Sequence, residues 1–390
     1  MKTIIVDHDC HEDEIPDHGR FNAIIPLLKS RGCTDIIKAA AIPDYLDGDY
    51  KIRYLVTPIM PKYSDDDTDQ VWLKEIVYGI SDEIKELANA GKLHISYFVG
   101  EIITLTPAEV LEETNKILIE AGLNKDAITV YIPNFELPIL QVSHIKFISI
   151  FEMSYRESLQ HYEDAGQYRH PDRKSLSMKD NIIQTVNIGR RRKKYTCLNH
   201  WSKTHRECIA ASLFNSGKHL DGYFSYHLNN YTIAGQPYNQ GIDVTQFEAA
   251  QPFLIDTSDD EVVNHHWHVI KKFFNDAYWN IVTESFYADY HTLTEKTFKP
   301  IVNLQPFIIV GAPGSLRQLH ELGYETFGSV IDESYDDVDD HDDRMRKLIR
   351  LSCYLADMSH PDHIAIQKEI KPILEHNQKV FFAKGWEEML

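Results

Sequence analysis

Short apolar runs alternate with longer segments of helical periodicity through the first half of the chain. The apolar runs predict strands, and the periodic segments, which end at a glycine or a polar turn, predict helices. The predicted strands span residues 2–9, 50–60, 93–99, 127–133 and 145–151, and the predicted helices span 21–32, 71–91 and 107–122. Strands that alternate with helices of this length form a mostly parallel sheet. We therefore expect a Rossmann-like α/β domain over residues 1–185.

The same alternation restarts after a polar stretch at residues 168–181. Strands are predicted at 193–200, 279–285 and 306–311, and helices at 204–217, 294–305, 315–323, 343–358 and 363–378. This pattern predicts a second Rossmann-like domain over residues 186–390, which the last two helices close. The simplest expected architecture is α/β, with two Rossmann-like halves.

Length and composition agree with two soluble domains. A chain of 390 residues is too long for one ordinary core, and a hydrophobic share of 43% is typical of soluble globular proteins. No stretch approaches the roughly 20 apolar residues of a membrane span, and the first residues turn polar too soon for a signal peptide. We expect a cytoplasmic protein without a membrane span, located in the cytoplasm of the host cell if a phage or virus encodes it.

The charge of the chain is strongly negative and unevenly distributed. A formal net charge of −19 repels a polyanion at long range, so a nucleic-acid partner would need a local basic patch. One such run is GRRRKK at residues 189–194. The acidic excess is concentrated at residues 332–343, where the simplest interpretation is a solvated loop or the first turn of the following helix.

Two predicted strand and helix junctions in the second domain carry residues suited to a nucleotide ligand. Ligands of a doubly wound domain bind at the carboxyl ends of strands, where helix N-termini attract phosphate. At the first junction, Lys296 could neutralise a diphosphate and Glu295 could accept hydrogen bonds from sugar hydroxyls. At the second, Gly311 and Gly314 would let the backbone approach a ligand closely. The alternative for the first junction is plain helix capping, with Thr294 as the N-cap.

The residues around these junctions resemble a known family. The run IVTESFYADYHTLTEKTFKPIVNLQPFIIVGAPGSLRQLHELGYETF, at 281–327, resembles the donor half of fucosyltransferase-like glycosyltransferases, especially the divergent forms encoded by phages and large viruses. The segment KKYTCLNHWSKTHRECIAASLF, at 193–214, is similar to the LN…HR segment of that family, although related sequences carry more arginine before the His-Arg pair. The two matches cover about one fifth of the chain and follow the order of the family.

The resemblance implies a two-domain GT-B glycosyltransferase that binds a nucleotide diphosphate sugar in its C-terminal half. Its two domains would face each other across a cleft, and the first domain would hold the acceptor hydroxyl. The diphosphate would rest on Arg206, Lys296 and the helix N-terminus near Gly314, because fixed donors stabilise the charge that the leaving group gains. No divalent ion or other cofactor is then required. The implied donor-site residues are Arg206, Glu284, Glu295 and Lys296, with Asn199, Thr294 and Lys299 as lesser candidates.

The catalytic base of such a transferase is expected after the first strand. An inverting transfer needs one carboxylate or imidazole within hydrogen-bond reach of the acceptor hydroxyl. The candidates are Asp7, Asp9, His11 and Glu12, of which one is expected to act. The resemblance does not extend to this half of the chain and names none of them.

Two other functions remain open on the sequence alone. Acidic residues and histidines after a first strand also begin many metal-dependent hydrolases, and the HHWH motif at 265–268 could add ligands. A non-catalytic protein that binds nucleotide sugars would keep the donor pocket without turnover. For a transferase, three acceptor classes stay open: a hydroxymethylated base in phage DNA, a glycan or lipid-linked acceptor, and a protein. The basic run favours DNA, and the negative net charge argues against it.

Overall fold

The chain divides into two compact units. The first comprises residues 1–157 and 161–169, and the second comprises 158–160 and 170–390. The predicted boundary between residues 185 and 186 stays a prediction, although Ile183 already bonds within the second unit, to Asn303 and Gln378. The computed structural model describes residues 2–7, 35–37, 39–48, 50–56, 77, 80–98, 107–132, 144–147, 149, 152, 155–156, 182–200, 202–227, 242–255, 270–287 and 292–383.

The first unit is built on a parallel sheet. Its described strands are β1 (Lys2–Asp7), β2 (Asp35–Ile37), β3 (Tyr50–Val56), β4 (His94–Phe98), β5 (Ile128–Ile132) and β6 (Ile145–Phe147). They lie in the order β2-β1-β3-β4-β5-β6, and each neighbouring pair is parallel. All five predicted strands of this half are confirmed, and β2 is an additional strand that the hydrophobic pattern did not predict.

The helices of this unit bury apolar side chains against the sheet. The described α-helices are α1 (Asp82–Asn89) and α2 (Pro107–Glu120), and the predicted helix at 21–32 lies outside the described residues. Ile84 of α1 and Ile117 of α2 share one buried core with strand residues such as Ile52, Ile95 and Val130. Removing this apolar surface from water is the main stabilising contribution to the unit.

The prediction of one continuous helix over 71–91 is wrong. Ile80 and Ser81 are not helical, and α1 begins at Asp82. The Ser81 hydroxyl accepts a hydrogen bond from the Ile84 amide at 3.4 Å, and two acidic residues follow in the first turn. A serine that caps free amides and carboxylates at the positive end of a helix together start a new helix here.

The second unit is built on another parallel sheet. Its described strands are β7 (Lys193–Asn199), β8 (Gly222–Tyr226), β9 (Ala277–Thr283) and β10 (Phe307–Val310). They lie in the order β8-β7-β9-β10, with every neighbouring pair parallel. The α/β class expected from the sequence is therefore confirmed for both units, while the GT-B arrangement stays a prediction.

Helices connect and follow these strands. Those described are α3 (Thr204–Asn215), α4 (Thr245–Ala250), α5 (Lys271–Asp276), α6 (Glu295–Val302), α7 (Ser315–Glu321), α8 (His341–Asp357) and α9 (His360–Ala383). The five predicted helices of this half are confirmed as α3, α6, α7, α8 and α9, whereas α4 and α5 were not predicted. Among the described residues, no helix combines the length and apolar character that crossing a bilayer would require.

Strand order reverses direction once in each sheet. In the second sheet β7 lies between β8 and β9, so the chain adds one strand on each side of β7. The first sheet has the same feature at β1, which lies between β2 and β3. At such a switch point, two strands carry their next helices to opposite faces, which opens a crevice at their carboxyl ends where ligands of α/β proteins bind.

At the amino ends of β7 and β9, the buried side chain of Arg191 fixes the C-terminal helix to the sheet. Its guanidinium donates hydrogen bonds to the carbonyl oxygens of Phe274 and Ala277, at 3.2 and 2.5 Å. It also donates to the Asn187 carbonyl, at 2.8 Å, and to Oε1 of Gln367 on α9, at 3.0 Å. Every one of these acceptors belongs to the protein, so Arg191 has a structural role.

The acidic run at 332–343 leads into α8, as expected. Asp340 is the N-cap of α8 and accepts a hydrogen bond from the Asp343 amide at 2.8 Å. The buried Arg344 donates to the Val338 carbonyl at 2.9 Å. Capping and a buried cation thus give this acidic connection a defined conformation.

Candidate anion-binding site at the carboxyl ends of β7 and β9

Asn199 joins the strand ends at the switch point of the second sheet. It is the last residue of β7, and its Oδ1 accepts a hydrogen bond from the hydroxyl of Thr283, the last residue of β9, at 2.7 Å. Its Nδ2 donates to the Ser225 carbonyl of β8 at 3.4 Å. Because Asn199 is only 1% exposed, its amide serves the fold and does not face a ligand.

Glu284, the residue after β9, uses its carboxylate to hold the start of α6. Its Oε1 accepts hydrogen bonds from the Thr294 amide, at 3.1 Å, and the Thr297 hydroxyl, at 2.6 Å. Its Oε2 accepts from the Thr294 hydroxyl and from the Ser285 amide, the latter at 3.2 Å. Because the carboxylate accepts these four hydrogen bonds and Glu284 is only 1% exposed, it acts as a brace, a side chain that holds the end of β9 to the start of α6.

Thr294 caps α6 and also contacts a more accessible lysine. The Thr294 hydroxyl accepts a hydrogen bond from the Lys296 amide at 3.4 Å, as the capping interpretation predicted. Lys296 Nζ donates to the hydroxyls of Thr294 and Ser285, both at 3.2 Å, and pairs with Glu295 at 3.0 Å. The Lys296 side chain is 33% exposed, against 15% for Glu295. Capping and an accessible ammonium group therefore coexist at this helix start.

The first turn of α3 brings two buried side chains to the end of β9. Arg206 Nη2 donates to the carbonyl oxygens of Thr283, at 3.3 Å, and Glu284, at 3.0 Å. His205 Nε2 donates to the same Glu284 carbonyl at 2.9 Å. Burial, followed by the charge of Arg206, lowers the pKa of His205 well below 6.5, so the ring is neutral near pH 7. The positive charge of this turn therefore belongs to Arg206.

Lys203 was not among the donor-site residues predicted from the sequence, but it belongs to the same group of side chains. It is the N-cap residue of α3, and its Nζ donates to the Ser285 carbonyl at 2.7 Å. Burial lowers the pKa of Lys203 to about 7, with Arg206 and Lys296 adding to the shift. In the sequence, only its position indicated such a role. Lys203 lies in the turn between a predicted strand and a predicted helix, three residues before Arg206.

Lys299 lies one turn further along α6. Burial lowers the pKa of Lys299 to about 8, while Glu295 acts to raise it and Lys296 to lower it. Cationic side chains therefore outnumber carboxylates at the carboxyl ends of β7 and β9. We name this group the switch-point cluster, and its members are Lys203, Arg206, Glu284, Glu295, Lys296 and Lys299.

The helix N-terminus after Gly314 is already bonded within the protein. Gly314 has a left-handed conformation, with φ of 75°, and precedes α7. The first amides of α7, those of Leu316 and Arg317, donate to Oδ2 of Asp336 at 3.0 and 3.2 Å. Gly311 is packed so closely that a Cβ atom there would come within 3.1 Å of a neighbouring side chain. Because Asp336 already occupies these amides, the diphosphate expected at the helix N-terminus near Gly314 has to be held elsewhere.

One of the four candidates for the catalytic base lies within the described residues. Asp7 is the last residue of β1, beside β3, at the switch point of the first sheet. Asp9, His11 and Glu12 lie outside the described residues, as does the HHWH motif. Within the ranges that the structure describes, no three His, Cys, Asp or Glu side chains come together in a way that could hold a metal ion.

The comparisons with known proteins reveal no relative. No protein-family model, no curated protein and no solved structure matches this chain. The resemblance of two segments to fucosyltransferase-like glycosyltransferases therefore stays a hypothesis. Functional assignment depends on the geometry and charge of the switch-point cluster.

Proposed function

We propose that this protein is a glycosyltransferase of the GT-B class, which binds a nucleotide diphosphate sugar at the switch-point cluster and transfers the sugar to an acceptor hydroxyl. The observation that carries the proposal is the meeting of cationic side chains from α3 and α6 at the point where strand order reverses. Open parallel sheets bind nucleotides at this point. A diphosphate is the part of such a ligand that cationic side chains attract.

Lys296 and Arg206 have complementary roles in this proposal. The ammonium group of Lys296 is partly accessible and is oriented by hydrogen bonds to two hydroxyls. Arg206 is buried behind it and contributes a positive charge in a fixed position. When the bond to the sugar breaks, the nucleoside diphosphate gains negative charge, and fixed cations in a poorly hydrated site stabilise that charge. We therefore expect transfer to proceed without a divalent ion.

Glu295 is the carboxylate that we assign to the sugar part of the ligand. Glu284 accepts four hydrogen bonds within the protein, whereas Glu295 is half-buried at the start of α6 and pairs with the more accessible Lys296. A carboxylate next to the diphosphate position is suited to accept hydrogen bonds from a pair of sugar or ribose hydroxyls.

The GRRRKK run contributes less to a nucleic-acid surface than its composition suggests. Arg191 is buried, and the ammonium groups of Lys193 and Lys194 donate to backbone carbonyl oxygens. The two cationic side chains that are exposed are Arg190 and Arg192. Since DNA binding depends on many phosphate contacts, this favours a glycan acceptor over a hydroxymethylated base in phage DNA.

A thermal-shift experiment on the full chain tests the proposal. UDP, GDP, ADP, CMP and their sugars are added in the presence of EDTA to the wild type, to Lys296→Met and to Lys371→Met, an exposed lysine on α9. We expect one nucleoside diphosphate to raise the Tm of the wild type and of Lys371→Met, but not of Lys296→Met.

The other outcomes separate the alternatives. If no nucleotide raises the Tm, the proposal is wrong. If EDTA alone lowers the Tm as well, a metal-dependent hydrolase becomes the better hypothesis. If a nucleotide sugar binds and neither transfers nor releases its sugar with any acceptor, the protein is a non-catalytic nucleotide-sugar-binding protein.

A further inference from the structure

Two lysines from different helices converge on Ser285, the second residue after β9. Lys203 Nζ, from the start of α3, donates to the Ser285 carbonyl oxygen at 2.7 Å. Lys296 Nζ, from α6, donates to the Ser285 hydroxyl at 3.2 Å. Two ammonium groups held on one residue repel each other, and Arg206 adds a third positive charge nearby. An anion in contact with both lysines would remove this repulsion.

The start of α3 strengthens the positive potential at this place. Its N-cap residue is Lys203, whose side chain makes no capping hydrogen bond. In contrast, Thr294 caps α6, and the Asp336 carboxylate binds the first amides of α7. Among the described helices that begin at the carboxyl ends of β7, β9 and β10, α3 is thus the one whose positive end lacks a side-chain cap.

We propose that Lys203 is a further binding residue for the donor, which together with Lys296 holds the diphosphate of the nucleotide sugar from two sides of Ser285. This inference rests on the proposed function and assigns a role that the sequence motifs do not contain. The side chain of Lys203 also lies over the Phe286 ring, 5.0 Å from its centre, which restricts where the ammonium group can go. The cation is therefore positioned before the ligand arrives.

This role makes donor affinity depend on pH. Burial lowers the pKa of Lys203 to about 7, so this lysine is largely neutral in the free protein above that pH. A bound diphosphate favours the charged form, so binding above pH 7 takes up a proton. Affinity should be highest below pH 7 and should fall as the pH rises.

Lys299 of the same cluster has its pKa lowered to about 8 and also loses charge in this range, so the Lys203 variants are needed to assign the profile to Lys203. His205 is buried, and its pKa lies well below 6.5. The charged and titratable groups around Lys203 are His205 and Arg206 on α3, Glu284 after β9, Glu295 and Lys296 on α6, and Arg344 on α8.

Isothermal titration calorimetry on the full chain tests the proposal. The probes are UDP-glucose, GDP-mannose and ADP-glucose, whose diphosphate diesters keep a constant charge near neutrality, and inorganic pyrophosphate. Titrations at about pH 6 and about pH 8.5, in buffers of different ionisation enthalpy, measure affinity and proton uptake together. The variants are Lys203→Met, Lys203→Arg and the control Lys193→Met, which removes a lysine bonded to a carbonyl oxygen at the other end of β7.

The expected results are specific to a binding role. At pH 6, Lys203→Met should bind the nucleotide sugar about tenfold more weakly than the wild type. At pH 8.5, binding should take up a proton in the wild type and none at this position in Lys203→Met. Lys203→Arg should keep most of the affinity but lose the decrease between pH 6 and pH 8.5, because arginine stays charged. Lys193→Met should behave as the wild type.

Failure of this inference can be distinguished from failure of the proposed function. If nucleotide sugars bind and Lys203→Met keeps both the affinity and the pH profile of the wild type, the role of Lys203 is wrong and the proposed function stands. If pyrophosphate binds in a manner that depends on Lys203 while no nucleotide sugar binds, Lys203 is an anion-binding residue and the proposed function is wrong. If neither ligand binds, both are wrong.

Discussion

Two buried arginines lie at opposite ends of the second sheet, and their surroundings differ. At the amino ends of the strands, Arg191 donates four hydrogen bonds to acceptors of the protein, one of them on α9. At the carboxyl ends, Arg206 donates to the carbonyl oxygens of Thr283 and Glu284 at the end of β9, and Lys203 and Lys296 belong to the same cluster. Both arginines therefore bond to carbonyl oxygens, but Arg206 also has further cations nearby, together with the carboxylate of Glu284.

The difference indicates what each region is for. A buried cation that is surrounded by carbonyl oxygens fixes elements of the fold to each other. Further cations beside a buried cation add repulsion without adding structure, and such costs are typical of sites that bind a ligand. The contrast leads to opposite expectations for stability and for binding, which four sets of variants can separate.

The largest effect is expected at the amino ends. Arg191→Met leaves four acceptors without their donor and should lower the free energy of unfolding by about 3 kcal/mol. Urea unfolding monitored by circular dichroism measures this, with Arg190→Met, an exposed neighbour, expected to stay within about 0.5 kcal/mol of the wild type. If Arg191→Met is as stable as Arg190→Met, the structural role of this arginine is wrong.

The next effect separates two carboxylates at the carboxyl ends. Glu284→Gln should lower the free energy of unfolding by about 2 kcal/mol, because its amide nitrogen must face the Thr294 or the Ser285 amide in either orientation. Glu295→Gln is the matched control and should be much less destabilising, since this side chain pairs with the partly exposed Lys296. Equal destabilisation of the two variants in urea would contradict the assignment of Glu284 as a brace.

A smaller effect is expected on binding, with little effect on stability. Lys296→Met removes one charged donor and should weaken nucleoside diphosphate binding about tenfold, which corresponds to about 1.4 kcal/mol. Its free energy of unfolding should change little, because the salt bridge to Glu295 is partly exposed. Calorimetric titration and urea unfolding check the two halves of this prediction. If Lys296→Met loses much stability and keeps its affinity for the nucleoside diphosphate, the role of Lys296 is structural, like that of Arg191.

The last prediction concerns how the stability of the cluster changes with pH. The pKa of Lys203 is lowered from its ordinary value of 10.5 to about 7, so the folded state disfavours its charged form. The ionisation of Lys203 therefore lowers the free energy of unfolding progressively as the pH falls from 10.5 to 7, and below pH 7 this effect is constant. Relative to the wild type, Lys203→Met should gain stability as the pH is lowered through this range.

Urea unfolding at a series of pH values measures this gain. Lys193→Met controls for the loss of a hydrogen bond from a lysine to a carbonyl oxygen. A stability difference between Lys203→Met and the wild type that does not change between pH 10 and pH 7 would show that Lys203 is not held in a disfavoured charged state.

Much of the second sheet could be predicted from local pattern. The apolar runs that became β7, β9 and β10 and the periodic segments that became α3, α6 and α7 each contain their own signal. The strand order could not be predicted, because it depends on pairing between distant segments. β8 was missed, since Gly222–Tyr226 is a short aromatic run without alternation. Without β8, the reversal of strand order at β7 could not be predicted.

The membership of the site was easier to predict than the role of each residue. Glu284, Thr294, Glu295 and Lys296, which the resemblance grouped, are linked by hydrogen bonds from Thr294 to Glu284 and from Lys296 to Thr294 and Glu295. Which carboxylate is engaged was not predictable, because the donors to Glu284 come from the backbone and from Thr297, thirteen residues away. The importance of Lys203 depends on burial, which a charged residue in a polar turn does not reveal.

A crystal structure of the full chain grown with UDP-glucose, GDP-mannose or ADP-glucose would show directly whether the switch-point cluster binds the donor diphosphate. We predict diphosphate oxygens within about 3.2 Å of Nζ of both Lys203 and Lys296, next to Ser285 at the carboxyl ends of β7 and β9. A nucleotide bound elsewhere on the second unit, with both lysines still in the hydrogen bonds described above, would show that the switch-point cluster is not the donor site.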